Sequence, residues 1–232
     1  MNDSQYKIPA DNDTGKAVSG DLVTLLDPGG IASEAYRALR TNLLYTQVDK
    51  PPKVILITSP GSKEGKSTAC ANLGVVLAQG GKDVLVMDCD FRGPTIHTVF
   101  GLPNTRGTVN VLAGECELQE ACREPLPGLN VLSIGALPPN PAELLMSQRF
   151  PELLATARQR FDYVLLDSPP TKLFSDAAIV AAHSDAVLLA FNAQKTRKGD
   201  VKRAVHALQA VGANVLGTVM NKAKGSKEAP YY

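Results

Sequence analysis

Three polar segments, each following an apolar run, constrain the fold of this chain more than any other feature. They are PGSKEGKS at residues 60–67, DCDFR at residues 88–92 and DSPP at residues 167–170. The aliphatic and β-branched residues before each segment are typical of a buried strand. In one parallel sheet the three segments would meet at the carboxyl edge, where α/β folds bind phosphorylated ligands. The sequence therefore predicts a site for ATP or GTP.

The first segment has the spacing of a phosphate-binding loop between a strand and a helix. In such a loop, successive main-chain amides and the helix N-terminus point at phosphate oxygens. Lys66 would reach the β- and γ-phosphates, and Ser67 would ligate Mg2+. Pro60 stands where the usual pattern has its first glycine, so the loop alone leaves an ordinary strand-turn-helix unit as an alternative. The predicted nucleotide-binding residues are Gly61, Ser62, Lys63, Glu64, Gly65, Lys66, Ser67 and Thr68.

The other two segments supply carboxylates at strand ends. Asp88 and Asp90 occupy alternate positions as one strand ends, and Asp167 ends another, so all three are placed to approach a metal. We predict that these three carboxylates and Ser67 surround Mg2+. Asp88 is the predicted general base for a hydroxyl nucleophile, with Lys66 and Asp90 as further catalytic residues.

Two further polar residues each have two interpretations. Arg92 would stabilise phosphate charge if it points into the site, but an arginine after a strand is as often an ordinary surface cation. Asn221 closes the last predicted strand with an amide that suits an adenine edge, or it forms a strand-end turn. We include Arg92 as a catalytic and Asn221 as a nucleotide-binding candidate.

The composition fits one domain with little excess charge. The 232 residues, 44% of them hydrophobic, suffice for one substantial core. A formal net charge of +1 at pH 7 provides no broad field to attract nucleic acid, so we expect no nucleic-acid partner. The four cysteines form no C-x-x-C pair, and no stretch resembles a signal peptide or a membrane span. We expect a cytoplasmic protein without disulfides or zinc.

Strand-like and helix-like segments alternate along the chain. Strands are expected over residues 53–58, 83–88, 129–134, 162–167, 186–191 and 215–220. Helices are expected over residues 33–45, 67–79, 108–113, 142–145, 150–160, 176–182 and 198–211, the first capped by Ser33. The alternation favours an α/β fold: a single P-loop NTPase domain with a mostly parallel central sheet and helices on both faces. We assign residues 1–30 to a flexible arm, 31–221 to the domain and 222–232 to a disordered tail.

Together the motifs resemble those of bacterial tyrosine kinases of the capsule and exopolysaccharide type. The resemblance covers residues 33–221 and rests on SEAYRALRTNL (33–43), GSKEGKST (61–68), VLVMDCDFRGPT (84–95), ALPPNPAELL (136–145) and VLLDSPP (164–170). It implies an enzyme that uses ATP and Mg2+ to phosphorylate protein tyrosines and that regulates polysaccharide synthesis or export. In that family the residues matching Lys66 and Ser67 bind phosphate and magnesium, and those matching Asp88, Asp90 and Asp167 surround the metal.

The resemblance also implies an assembly and partners. Helix residues matching Glu34, Arg37 and Arg40 mediate self-association in the family, commonly as an octameric ring; spacing alone indicates only a charged helix edge. Family members phosphorylate their own C-terminal tyrosines in trans, so Tyr231 and Tyr232 are the expected acceptors, although a chance pair remains the alternative. A membrane adaptor of the polysaccharide co-polymerase type should recruit the kinase to the inner face of the membrane, and a tyrosine phosphatase should oppose it.

Two other functions remain open. An ATP-driven switch of the MinD/ParA type, which acts in cell division and plasmid partition, would share this fold; its signature lysine lies five residues before the loop lysine, where this chain has Gly61. The basic run over residues 195–203 suits either a membrane or DNA patch or a solvated helix start. A non-catalytic, nucleotide-gated assembly subunit would also keep Asp167.

Overall fold

A mostly parallel sheet forms the centre of the protein. The computed structural model describes residues 17–46 and 51–223, and within them seven strands form one sheet. The strands are β1 (Val54–Thr58), β2 (Val84–Asp88), β3 (Arg123–Leu126), β4 (Leu129–Leu132), β5 (Tyr163–Asp167), β6 (Ala186–Asn192) and β7 (Val215–Asn221). They lie in the order β3-β4-β2-β5-β1-β6-β7, and every neighbouring pair except β3 and β4 is parallel.

Helices cover both faces of the sheet because the strand side chains alternate between two cores. The core that contains Ile55 and Ile57 is covered by α1 (Val23–Leu26), α2 (Ile31–Thr46), α3 (Lys66–Gln79) and α4 (Ile96–Val99). The core that contains Val54 and Leu56 is covered by α5 (Thr108–Ala113), α6 (Leu118–Ala121), α7 (Pro141–Met146), α8 (Arg149–Arg160), α9 (Asp176–Ala182) and α10 (Lys198–Gln209). The predicted α/β class with helices on both faces is confirmed.

The parallel register brings the polar segments to one end of the sheet. Strand β5 lies between β1 and β2, and its last residue, Asp167, is in register with Ile57 on one side and with Asp88 on the other. The loop after β1 leads directly into α3. The three segments therefore leave the sheet side by side, as the sequence predicts.

Four short elements were not predicted from the sequence. Strand β3 has the sequence REPL, and its charges and proline are typical of an edge strand, which gives no buried-strand pattern. Helices α1, α4 and α6 have four residues each, too few to show a helical period.

The packed part of the chain begins before the predicted boundary at residue 31. Leu22 is fully buried. The main-chain N–H and the hydroxyl of Thr24 both donate to the side-chain oxygen of Asn72 on α3, at 3.0 and 2.8 Å. Residues 17–30 are therefore part of the domain, and the prediction of a flexible arm up to residue 30 is wrong for them. Residues 1–16 and 224–232 lie outside the described residues.

Helix α2 begins at Ile31, so the prediction that Ser33 caps it is also wrong. Ser33 is buried inside the first turn, and its hydroxyl donates to the carbonyls of Val23 and Asp27 at 3.0 and 2.6 Å. The hydroxyl thereby links the start of α2 to the preceding segment. Across residues 17–46 and 51–223, no helix combines the length and apolarity needed to cross a membrane.

Candidate active site

The phosphate-binding loop bends sharply where α3 begins. Gly65 precedes the 14-residue helix with a φ of 88°, a left-handed conformation that glycine adopts without strain. A Cβ atom at Gly65 would lie 2.5 Å from the Asn221 side-chain nitrogen, so the chain passes too close to Asn221 for a larger residue. Lys63 is also left-handed, with a φ of 60°. Such turns are typical of a loop whose main-chain amides and following helix N-terminus bind an anion.

Lys66 lies between two carboxylates at the base of the loop. Its Nζ atom is 2.7 Å from Asp90 Oδ2 and 3.4 Å from Asp167 Oδ1, and the side chain is nearly buried. Burial alone would lower the pKa of Lys66, but the charges of Asp167 and Asp90 outweigh burial and raise the pKa above its ordinary value. The ammonium group is therefore fully charged and in place to meet phosphate oxygens.

Ser67 and Asp167 form the second contact of the site. The Ser67 hydroxyl donates to Asp167 Oδ2 at 2.5 Å, and Asp167 is fully buried at the end of β5. Burial raises the pKa of Asp167, although Lys66 and Ser67 act in the opposite direction. A serine hydroxyl beside a carboxylate is the type of oxygen pair that Mg2+ prefers.

Asp88 lies behind this pair, fully buried at the end of β2. Its oxygens accept the main-chain N–H groups of Asp90 at 3.0 Å and Ile96 at 3.2 Å. Burial and the charge of Asp167 raise the pKa of Asp88 to about 8. A cation bound beside Asp88 would lower this pKa and leave the carboxylate able to accept a proton, as a general base must.

The four predicted magnesium ligands are close together but do not form a shared cage. The Asp90 carboxylate pairs with Lys66, and the Asp88 carboxylate is held by main-chain amides, one of them from Asp90. The side chains of Ser67 and Asp167 are joined by a hydrogen bond. Among the described residues there is no group of three or more His, Cys, Asp or Glu side chains placed to hold one metal ion. The metal assignments stay predictions, with Ser67 and Asp167 in the arrangement that fits Mg2+ best.

Arg92 does not contact the loop in this structure. Its Nε atom donates to Asp176 Oδ2 at 3.0 Å, and its guanidinium lies 4.4 Å from the centre of the Phe174 ring. Asp176, in the first turn of α9, is almost fully buried, so it needs this cation. The sequence reasoning missed Asp176 because an acidic residue at a helix start is usually explained by the helix dipole. The catalytic assignment of Arg92 stays a prediction.

Asn221 holds the phosphate-binding loop from the end of β7. Its side-chain nitrogen donates to the carbonyls of Glu64 at 3.0 Å and Gly65 at 3.1 Å. Glu64 is held again through its side chain, because Oε1 accepts the hydroxyl of Thr196 at 2.8 Å. Thr196 was missed, since no local pattern connects it to a residue 132 positions away. The loop is thus tied to the ends of both β6 and β7.

The three residues predicted at an oligomer interface divide into two groups. Glu34 and Arg37 form an ion pair of 2.7 Å along the outer edge of α2. Arg40 turns inward and donates to the Val76 carbonyl on α3 at 2.8 Å. Arg40 therefore connects two helices of the same chain, whereas Glu34 and Arg37 are at the surface. The predicted acceptors, Tyr231 and Tyr232, lie outside the described residues.

Comparison with known proteins identifies the family. A sequence model described as ParA, NUBPL iron-transfer P-loop NTPase, matches residues 50–228. Tyrosine-protein kinase YwqD of Bacillus subtilis is 39% identical over 218 residues, which cover 94% of this chain and 92% of YwqD. The chain belongs to the bacterial tyrosine-protein kinase family. Tyrosine-protein kinase wzc of Salmonella typhi is 36% identical over 217 residues, but the match covers only 30% of wzc.

Solved structures place this tyrosine kinase nearer to kinase domains than to ATPase switches. The kinase domain of Escherichia coli tyrosine kinase ETK superposes with a TM-score of 0.82 at 31% identity, covering 90% of this chain and 84% of that domain. The septum site-determining protein MinD from Pyrococcus horikoshii, solved with Mg-ADP, gives a TM-score of 0.65 at 25% identity, covering 75% and 72%. The P-loop NTPase fold is shared, and the MinD/ParA-like alternative is not favoured.

Proposed function

We propose that this tyrosine kinase transfers the γ-phosphoryl group of ATP to Tyr231 and Tyr232 of a neighbouring copy. The observation that carries the proposal is the joined position of Lys66, Ser67 and Asp167, with the buried carboxylate of Asp88 directly beside them. A charged amine, a hydroxyl and a proton acceptor at one sheet edge are the groups that phosphoryl transfer to a phenol requires.

Asp88 is the proposed base. It accepts the phenol proton, the phenol oxygen forms a bond to the γ-phosphorus, and the bond from that phosphorus to the β-phosphate oxygen breaks. ADP leaves with the electron pair of that bond. Lys66 stabilises the negative charge that develops on the transferred group, and its raised pKa keeps its amine protonated throughout the reaction. Most of the acceleration comes from position and charge rather than from covalent chemistry.

The described residues fit ATP and Mg2+. The left-handed turn at Gly65 and the start of α3 suit the phosphates, and Lys66 would exchange Asp90 for phosphate oxygens. Ser67 and Asp167 would hold magnesium, directly or through water. When bound, magnesium neutralises charge on the reacting phosphates. Asn221 would bind the adenine ring of ATP only if its hydrogen bonds to the loop carbonyls are released or shared.

A ring of copies, commonly eight in this family, would deliver the tail of one subunit to the site of the next. The support is α2, where Ile31 is 93% exposed near its start and Tyr45 is 73% exposed near its end, with the pair of Glu34 and Arg37 at the surface between them. Such large apolar side chains at the surface are typical of an interaction site when they share one helix.

We propose a separate membrane adaptor of the polysaccharide co-polymerase type as the activating partner. The match to wzc covers 30% of that relative, whereas the match to YwqD covers 92%, so the longer relative carries further sequence that this chain does not match. The adaptor would hold the cytoplasmic kinase at the inner face of the membrane and connect it to capsule or exopolysaccharide synthesis. A tyrosine phosphatase would remove the phosphate groups from the tail tyrosines.

The decisive experiment incubates the protein with ATP, Mg2+ and a cytoplasmic fragment of the adaptor, then maps phosphate by mass spectrometry. We expect phosphate on Tyr231 or Tyr232 in the wild type and none in Lys66→Met. Lys202→Met, an exposed lysine on α10, is the matched control and should retain activity. ATP hydrolysis with unmodified tyrosines would instead support the MinD/ParA-like switch.

The assembly is tested with Glu34→Ala combined with Arg37→Ala. We expect a large oligomer to shift towards monomer in sedimentation velocity, while nucleotide binding is retained. Arg40→Ala is a separate variant, because Arg40 also bonds to α3 and its loss would reduce the stability of the subunit itself. If the double variant sediments like the wild type, the interface assignment fails.

A further inference from the structure

A lysine-lined cavity of about 410 Å3 adjoins the outer side of the phosphate-binding loop. Its lysines come from four separate segments: Lys63 in the loop, Lys172 after β5, Lys195 after β6 and Lys222 after β7. The loop residues from Pro60 to Glu64 form one wall. Side chains that are far apart in the sequence thus place four positive charges around one cavity beside the nucleotide site.

Most of this positive charge is not neutralised within the fold. Lys63, Lys195 and Lys222 form no ion pair with any carboxylate of the described residues, and Lys172 has only a long contact of 3.8 Å to Asp200. Asp200 is also bound to Arg203 outside the cavity, at 2.7 Å. The second acid of the lining, Glu64, is 9% exposed and is engaged by Thr196. The rim therefore attracts an anion.

The shape and position of the cavity favour an anion carried by a peptide over nucleotide phosphates. In the proposed binding mode Lys66 and Ser67 meet the nucleotide phosphates and magnesium, and neither residue lines the cavity. Lys222 lies at the rim where the chain continues into residues 224–232. Nine residues span at most about 30 Å when extended, so the segment that carries Tyr231 and Tyr232 starts within reach of the cavity.

We propose that this cavity binds the phosphorylated form of the tyrosine pair, so that the reaction product occupies the outer wall of the phosphate-binding loop. The proposal rests on the proposed kinase function. Each phosphotyrosine carries a charge of about −1.5 to −2 at pH 7. The lining has four lysines against Asp200 and Glu64, so its excess charge is positive and suits such a group.

The test measures binding of synthetic peptides with the sequence of residues 224–232, unmodified or with phosphate on both tyrosines. The full-length protein carries Tyr231→Phe and Tyr232→Phe, so its own tail does not compete, and ADP with Mg2+ saturates the nucleotide site. By isothermal titration calorimetry we expect the phosphopeptide to bind about tenfold more tightly than the unmodified peptide, with affinity falling as salt rises. Lys172→Gln with Lys195→Gln should reduce phosphopeptide affinity about tenfold.

Controls separate this site from general attraction and from the nucleotide site. Lys202→Gln with Lys198→Gln removes the same charge from α10 without removing a lysine of the cavity, and should leave phosphopeptide affinity within about twofold. An equal loss of phosphopeptide affinity in this control variant would overturn the proposal. Abolition of phosphopeptide binding by ADP would overturn it too. Equal binding of inorganic phosphate at the same concentration would also overturn it. Because the peptides are synthetic, a kinase assay that fails does not decide this result.

Discussion

The two ends of the central sheet use aspartate in opposite ways. At the carboxyl end, Asp88, Asp90 and Asp167 share one lysine, so negative charge is in excess and burial raises the pKa of Asp88 and Asp167. At the amino end, Asp185 accepts both arms of Arg158, at 2.7 and 2.8 Å, and the main-chain N–H groups of Lys53 and Val54.

The arginine and the two amides favour the charged form of Asp185, and its pKa is lowered despite partial burial. The amino end is therefore satisfied within the fold. The carboxyl end has excess negative charge that a cation would offset, and raised carboxyl pKa values of this kind are typical of a site that binds ligands. The same residue type thus stabilises the fold at one end and is proposed to take part in the reaction at the other.

The largest effect should come from Asp88→Asn. Removing the proposed base while keeping the size of the side chain should reduce the rate of tyrosine phosphorylation by about 100-fold to 10,000-fold, because an amide accepts no proton. Single-turnover kinetics with bound ATP measures this, and fluorescent nucleotide titration should show that nucleotide still binds. An unchanged rate would remove Asp88 from the mechanism and would weaken the contrast between the two ends.

A smaller effect is expected from Asp185→Asn at the other end. The neutral side chain loses the charge-assisted contacts to Arg158, and since both partners are about one-third exposed the loss should be about 1 kcal/mol of unfolding free energy. Urea denaturation at pH 7 measures it. The kinase rate of the folded variant should be unchanged; a large loss of rate would show that the two ends are coupled.

The smallest and sharpest test is the pH dependence of stability without nucleotide or metal. The lowered pKa of Asp185 gives stability that is present above the unfolded pKa of about 3.9 and is lost as the pH falls through the folded value. The raised pKa of Asp88 works in reverse: its contribution is present below about 3.9 and is lost as the pH rises through about 8.

Stability curves in EDTA should show both trends. Asp185→Asn should be less stable than the wild type at pH 7, and this difference in unfolding free energy should disappear below pH of about 4. Relative to the wild type, Asp88→Asn should gain stability as the pH rises towards 8. For Asp88→Asn the informative quantity is the slope of the unfolding free energy against pH. The variant also loses an acceptor for a main-chain amide, and that loss shifts the whole curve without changing its slope. Parallel curves for wild type and both variants would contradict the contrast between the ends.

The features that sequence predicted are those with local patterns. The apolar runs before Asp88 and Asp167 identify buried strands, and the parallel arrangement then brings their ends together. The contacts that complete the site have no such pattern. Arg92 and Asp176 are 84 residues apart, and Asn221 meets the loop from 156 and 157 residues away. Arg40 belongs to a motif that the family resemblance assigns to an interface. Its side chain nevertheless bonds within the chain, because the packing of α2 on α3 decides its direction.

The hydrogen bonds from Asn221 to Glu64 and Gly65 also have a mechanical meaning. Asn221 is the last residue of β7, and Lys222 and the segment with the tyrosines follow it directly. A force on that segment would act on Lys222, whose carbonyl accepts the Gln194 side-chain amide at 2.7 Å, and then on Asn221, which holds the phosphate-binding loop. In the proposed transfer between copies, a subunit that binds the tail would pull on the end of β7, and this tension would reach the loop proposed to bind ATP.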